Sequence, residues 1–210
     1  MDSKVKSDFH KRVTIFIICF FIVGKSVNAQ DYKSTICING GESLVRDLFQ
    51  SINTVSGSSI STFSFPAIQL SYEYSVVNWF SVGLALSSQN LGLNINNWLE
   101  SANGITYNWQ INVNRFNYAL RALFHYGKFK RIDMYSGLRI GFTHWTISTS
   151  GSLDPYFNVT SILVYSGYAV FAPQIILYGI RFYITDHIGL NTELCFGSPY
   201  YWSYGLNYRL

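Results

Sequence analysis

The sequence predicts an all-β protein, an eight-stranded antiparallel transmembrane up-and-down β-barrel. Three observations carry that expectation. First, the chain repeats segments in which large apolar side chains alternate with small or polar ones, the period of a strand with two unlike faces. Second, it is 49% hydrophobic and 18% aromatic but only 12% charged, and its one long apolar run lies at the N-terminus. An ordinary soluble domain carries roughly 25% charged residues. Third, the connections between the alternating segments are short and long by turns, as they are in outer-membrane barrels.

The N-terminal run, VTIFIICFFIVG at 13–24, follows Lys4, Lys6, Lys11 and Arg12 and precedes Val27-Asn28-Ala29. It is too short to span a bilayer as a helix, which needs roughly 20 apolar residues. Basic flank, apolar centre and small residues before Gln30 make 1–29 a secretory signal peptide cleaved after Ala29, leaving 30–210 as the barrel domain. Bulky Ile18 before Cys19 argues against lipoprotein processing. Removing 1–29 lowers Lys plus Arg from 15 to 10 and Asp plus Glu from 11 to 9. The mature chain is therefore close to neutral, and a nucleic-acid partner loses its electrostatic basis.

A first strand is expected over 35–39, TICIN, ending at Gly40-Gly41. A Ser-rich connection over 42–64 follows, with a short helix at SLVRDLFQ. IQLSYEYSV at 68–76 alternates without a break, and VNW joins it to FSVGLALSS in a hairpin. FNYALRALFHY at 116–126, the turn GKFKRID and MYSGLRIGF form a second hairpin. IILYGIRFYI, the turn TDH and IGLNTELCFG form a third. In IILYGIRFYI the apolar face is read as Ile176, Tyr178, Ile180, Phe182 and Ile184. After a brief GSPY, YWSYGLNYRL closes the chain. The long connections fall at 42–64, 90–110 and 148–168, with Pro173 and a shifted phase around Ile111 and Val113 blurring two strand starts.

The charged residues orient the faces. Glu73, Arg121, Arg139, Arg181, Glu193 and Arg209 all fall on the polar faces of their strands. A soluble sandwich accepts these in water but leaves the aromatic residues at strand ends unexplained: Trp79, Tyr126, Trp145, Trp202 and Tyr208. Girdles at a lipid–water boundary account for them. Ile68, Leu70, Tyr72 and Tyr74 are then the lipid face, and Glu73 an inward carboxylate meeting an arginine. A narrow barrel has a lumen filled by side chains, so the six charged residues are candidates for a lumenal ion-pair network.

The stretches LSYEYSVVNWFSVGLALS, YSGLRIGF, YGIRFYITDHIGLNTELCFG and YGLNYRL resemble the small outer-membrane β-barrel family of Bacteroidota, a porin-family type similar in architecture to the barrels of OmpA and OmpX. The resemblance spans about residues 35–210. It implies outer-membrane location, lipids and the barrel-assembly machinery as partners, and a monomer. Tyr204, Leu206, Tyr208 and Leu210 are similar to the C-terminal signal that this machinery reads, although the last residue is Leu where Phe is usual. The family has no single established activity, so the resemblance implies location and fold more than function. The filled lumen and long loops lead to an expected structural or surface-interaction role, with a small pore as the alternative and a lipid A-modifying enzyme as a further one.

No catalytic, cofactor or metal site is expected. His125, His144 and His187 lack metal-ligand spacing. GFTHWTIS places His144 near Thr146 and Ser148 without a hydrolase motif. Cys37 and Cys195 survive processing in a compartment that permits disulfides. They sit on strands separated by a third, roughly 9–10 Å apart, which is beyond disulfide reach, so buried free thiols are expected.

Overall fold

The computed structural model describes residues 33–55, 60–99, 106–128, 131–151 and 167–210. The expected signal peptide and the centre of the 148–168 connection lie outside them. Eight strands close a ring: β1 (Ser34–Glu42), β3 (Ala67–Val77), β4 (Phe80–Leu99), β5 (Thr106–Lys128), β6 (Ile132–Gly151), β8 (Gln174–Tyr183), β9 (Ile188–Gly197) and β10 (Trp202–Arg209). Each pairs antiparallel with the next, β5 with β4, and β10 with β1. The order is up-and-down and leaves no open barrel edge, so every ladder hydrogen bond has its partner.

Two short strands extend this ring. β2 (Ile60–Ser64) pairs with β4, and β7 (Ala169–Phe171) pairs with β6. Each is the upper part of a strand broken at a proline, Pro66 before β3 and Pro173 before β8, because proline has no N–H to give the ladder. A helix α1 (Leu44–Val55) joins β1 to β2. The Ser43 hydroxyl caps it by accepting from the Arg46 N–H at 3.2 Å, and Asp47 in its first turn suits the positive end of the helix dipole.

The two ends of the barrel differ. One carries the tight connections after Val77, Lys128 and Tyr183. At the other, the expected loop over 90–110 is a correction: β4 and β5 stay paired up to Leu99 and Thr106. β6 likewise continues to Gly151. On β4 the extension is roughly 30 Å long, measured along the strand at the usual rise per residue.

The apparent phase shift near Ile111 and Val113 also has a physical reason. From 109 to 125 the inward positions of β5 keep one phase, but their chemistry changes. Within the barrel, β5 turns Ala119, Asn117 and Arg115 inward; beyond the rim it turns Val113, Ile111 and Trp109 to that same side. There they form a small apolar core with Leu91 and Ile95, packed by Val45 and Phe49 of α1. Trp145, expected in a girdle, packs against this core instead, with the Arg115 guanidinium 5.6 Å from its ring. Ile176, expected outside, is buried inside because the β8–β9 register slips between Ile176 and Tyr178, which puts Leu177 and Tyr178 both on the outer wall.

Candidate functional site: the charged lumen

The strand alternation brings the charged side chains to the axis and stacks them in levels. On β5, moving away from the tight-turn end, the inward polar positions are His125, Arg121, Asn117 and Arg115. Facing strands supply partners at matching heights.

At the tight-turn end, Ser81 Oγ stands 2.9 Å from His125 Nε2 and His125 Nδ1 stands 2.7 Å from Asp133 Oδ1. The other Asp133 oxygen accepts from Arg181 at 3.2 Å. Arg181 also pairs with Glu73, and Glu73 reaches Arg121 at 3.1 Å. Arg121 donates to Glu193 at 2.5 Å. Glu193 further accepts from the Tyr135 and Tyr200 hydroxyls, both at 2.8 Å. The result is one continuous buried chain in which three carboxylates alternate with two guanidinium groups. Such pairing is what makes buried charge tolerable, since an unpaired ion away from water is very costly.

Of the sequence candidates, Glu73, Arg121, Arg181 and Glu193 come together in this chain. Arg139 and Arg209 lie in the lumen on other partners. Arg139 donates to Asn117 Oδ1 at 2.5 Å and to the Ser198 carbonyl at 3.3 Å. Arg209 lies over the Tyr183 ring, its guanidinium carbon 3.2 Å from the centroid. Asp133, His125, Tyr135, Tyr200 and Arg115 were not among the candidates. Asp133 continues the inward phase of Tyr135 and Arg139 two residues back into what reads as a turn. Arg115 likewise continues the phase of Asn117.

Tyr200 carries no periodic signal, because it lies in the connection between β9 and β10. That connection folds into the barrel. Its Pro199 carbonyl accepts from Arg115 and its Ser198 carbonyl from Arg139. The Gln174 side-chain amide donates to the Tyr200 carbonyl at 2.7 Å, and the Gln69 amide donates to its hydroxyl at 2.9 Å. The ring lies where Gly41 has no side chain: a Cβ there would stand 2.6 Å from Tyr200 Cγ. Gly179 makes the same room for the Tyr135 ring. Tyr200 and Tyr135 join Ala67, Leu123, Ile176 and Cys195 in a small apolar cluster on the axis.

Ser81, His125 and Asp133 follow the order of a hydrolase relay. Ser81 is buried against the lumen, Asp133 is shared with Arg181, and the strands β4 and β5 that carry Ser81 and His125 are paired in the barrel ladder. Among the described residues, no group of three His, Cys, Asp or Glu has metal-binding geometry.

Cys37 and Cys195 are free and buried. A maleimide is therefore expected to leave the folded protein unmodified and to label both thiols once it is denatured; labelling of the folded form would contradict the packed lumen.

The four C-terminal signal candidates share the outer wall. Tyr204, Leu206, Tyr208 and Leu210 are all exposed, while Ser203 and Asn207 on the alternate phase of the strand point inward.

No protein-family model and no curated protein matches the chain. Several solved structures are similar to it. The attachment invasion locus protein Ail of Yersinia pestis, in complex with the heparin analogue sucrose octasulfate, is 11% identical over 85% of this chain and 97% of its own, with a TM-score of 0.42. Ail in a phospholipid bilayer nanodisc is 15% identical over 85% and 99%, with a TM-score of 0.41. The outer-membrane protein OprG from Pseudomonas aeruginosa is 10% identical over 85% and 96%, with a TM-score of 0.48.

Proposed function

We propose that the chain is an integral outer-membrane protein, similar to the small barrels of Bacteroidota, with a structural or surface-interaction role and no enzymatic one. One observation carries this reading: the barrel is apolar outside and charged inside. Leu120 is 64% exposed at the middle of the outer wall, while Arg139 is fully buried in the lumen. In water this arrangement is upside down; in lipid it is what a closed barrel requires.

The upper boundary supports the same reading. Outward residues change from Leu86 to Ser88 on β4, from Phe116 to Asn114 on β5, and from Phe142 to His144 and Thr146 on β6. These positions are close to one height, where the inward residues of β4 and β5 turn apolar. In this reading the tight turns and both ends of the barrel chain lie in the periplasm, and the extended sheet with α1 stands outside the cell. The closing strand presents Tyr204, Leu206, Tyr208 and Leu210 to the assembly machinery. The lumen is closed by the Glu73–Arg121–Glu193 chain and by Tyr200.

The mature protein is expected in the membrane fraction as a monomer whose gel migration changes on heating; recovery as a soluble periplasmic protein would refute the assignment. After refolding into planar bilayers it is expected to give no stable conductance steps. Steps would overturn the closed lumen and favour a small pore. Lipid A acylation is expected to be the same in cells with and without the protein, and a difference would favour an enzyme.

A further inference from the structure

The sheet beyond the rim has an outer face unlike an ordinary solvent-facing surface. Asn90, Asn114 and Thr146 stand in one row across β4, β5 and β6, and Asn94, Gln110 and Ser150 stand in another. Between them, Gly92 lies opposite Asn112, and Asn112 opposite Ser148. None of these positions is charged, whereas roughly a quarter to a third of a soluble protein surface is charged. Amides and hydroxyls fill the face instead, and each offers hydrogen-bond donors and acceptors together. Gln110 Nε2 donates to Asn112 Oδ1 at 3.1 Å, which fixes two of these groups in orientation.

Two aromatic rings flank the array, Phe63 and the exposed Phe65, set edge to face with centroids 6.4 Å apart. Phe63 of β2 pairs with Gly92, and its ring occupies the space where a Cβ of Gly92 would be. The apolar core and α1 back the sheet on its other side, so the face is held rigid before anything binds, which lowers the ordering cost of binding.

We infer that this face binds a neutral polysaccharide anchored in the outer leaflet of the protein's own cell. The inference rests on the membrane assignment proposed above. Sugar hydroxyls donate and accept together, as the amides and hydroxyls here do, and the apolar side of a sugar ring stacks on an aromatic ring. Among the described residues of these rows there is no Lys or Arg for an anionic polymer to meet. The face begins where the apolar belt ends, so chains anchored in the same leaflet run beside it at high effective concentration, where weak contacts suffice.

The test is affinity electrophoresis of the detergent-folded protein. Gels contain the neutral polysaccharide fraction released from the producing cell, dextran, or heparin. Retardation is expected in the first, alike at low and high salt, and absent with heparin. Phe63→Ala and Asn112→Asp are each expected to weaken it by about tenfold, equivalent to one good contact. Should Phe63→Ala disturb β2, Ser148→Lys on the far strand supplies an independent variant with the same expected loss.

No retardation by the neutral fraction, retardation that salt abolishes, retardation by dextran alone, or wild-type binding by all three variants would overturn the inference. Each variant is first checked for heat-modifiable migration. Absence of glycan binding by the wild type with that property intact counts against this inference alone, whereas loss of the property in the wild type counts against the membrane assignment.

Discussion

Leu120→Arg is expected to destabilise the protein in lipid vesicles by about 2–4 kcal/mol, the cost of an arginine on a barrel's lipid face near the bilayer midplane. Leu120 is the central outward residue of β5, flanked across the ladder by Leu84 and Ile140. It is 64% exposed and has no core to disturb. In a water-soluble barrel the same change at so exposed a site would fall within about 0.5 kcal/mol of neutral. The size of the effect therefore separates the two environments with one substitution. Urea-dependent folding into vesicles measures it, with Asn114→Arg, beyond the belt on the same strand, as the control expected to cost little. A neutral Leu120→Arg would mean that the outer wall faces water.

The second large effect belongs to the lumen. Glu193→Leu strands the donor of Arg121 and two tyrosine hydroxyls at once, those of Tyr135 and Tyr200. Removing one partner of a buried ion pair costs about 3–5 kcal/mol. Arg121 keeps Glu73 at 3.1 Å, which holds the loss within that range. Replacing both partners, Arg121→Leu with Glu193→Leu, removes the uncompensated charge. The double variant is expected to be more stable than the sum of the single losses by about 1–3 kcal/mol. Additive losses, or a Glu193→Leu barrel as stable as the wild type, would show that the chain of charges does not hold the lumen together.

The legible part of this protein is the part that repeats. Period-two alternation placed each charged candidate on the inward face, because adjacent strand residues point to opposite sides. It also placed the closing strand's Tyr204, Leu206 and Tyr208 outside. It misread Ile176, because a register slip costs nothing in composition and reverses the faces on either side of it. It misread 90–110 for a different reason. The Asn-rich run from Asn90 to Asn97 resembles a loop in composition, yet its inward partners Leu91 and Ile95 are apolar and find a core there.

Which charges pair was not in the sequence. Glu73 meets Arg181, 108 residues away, and that meeting depends on ring closure and strand stagger. Tyr200 enters the lumen from a connection with no period of its own, held by the Arg115, Arg139 and Gln174 side chains of β5, β6 and β8. By itself the sequence determined a two-faced barrel wall, because alternation is local and is written residue by residue. Only the tertiary structure decided how the lumen is closed and where the barrel gives way to the outer sheet. Both depend on what stands opposite a side chain, and each strand meets that opposite only once the ring has closed.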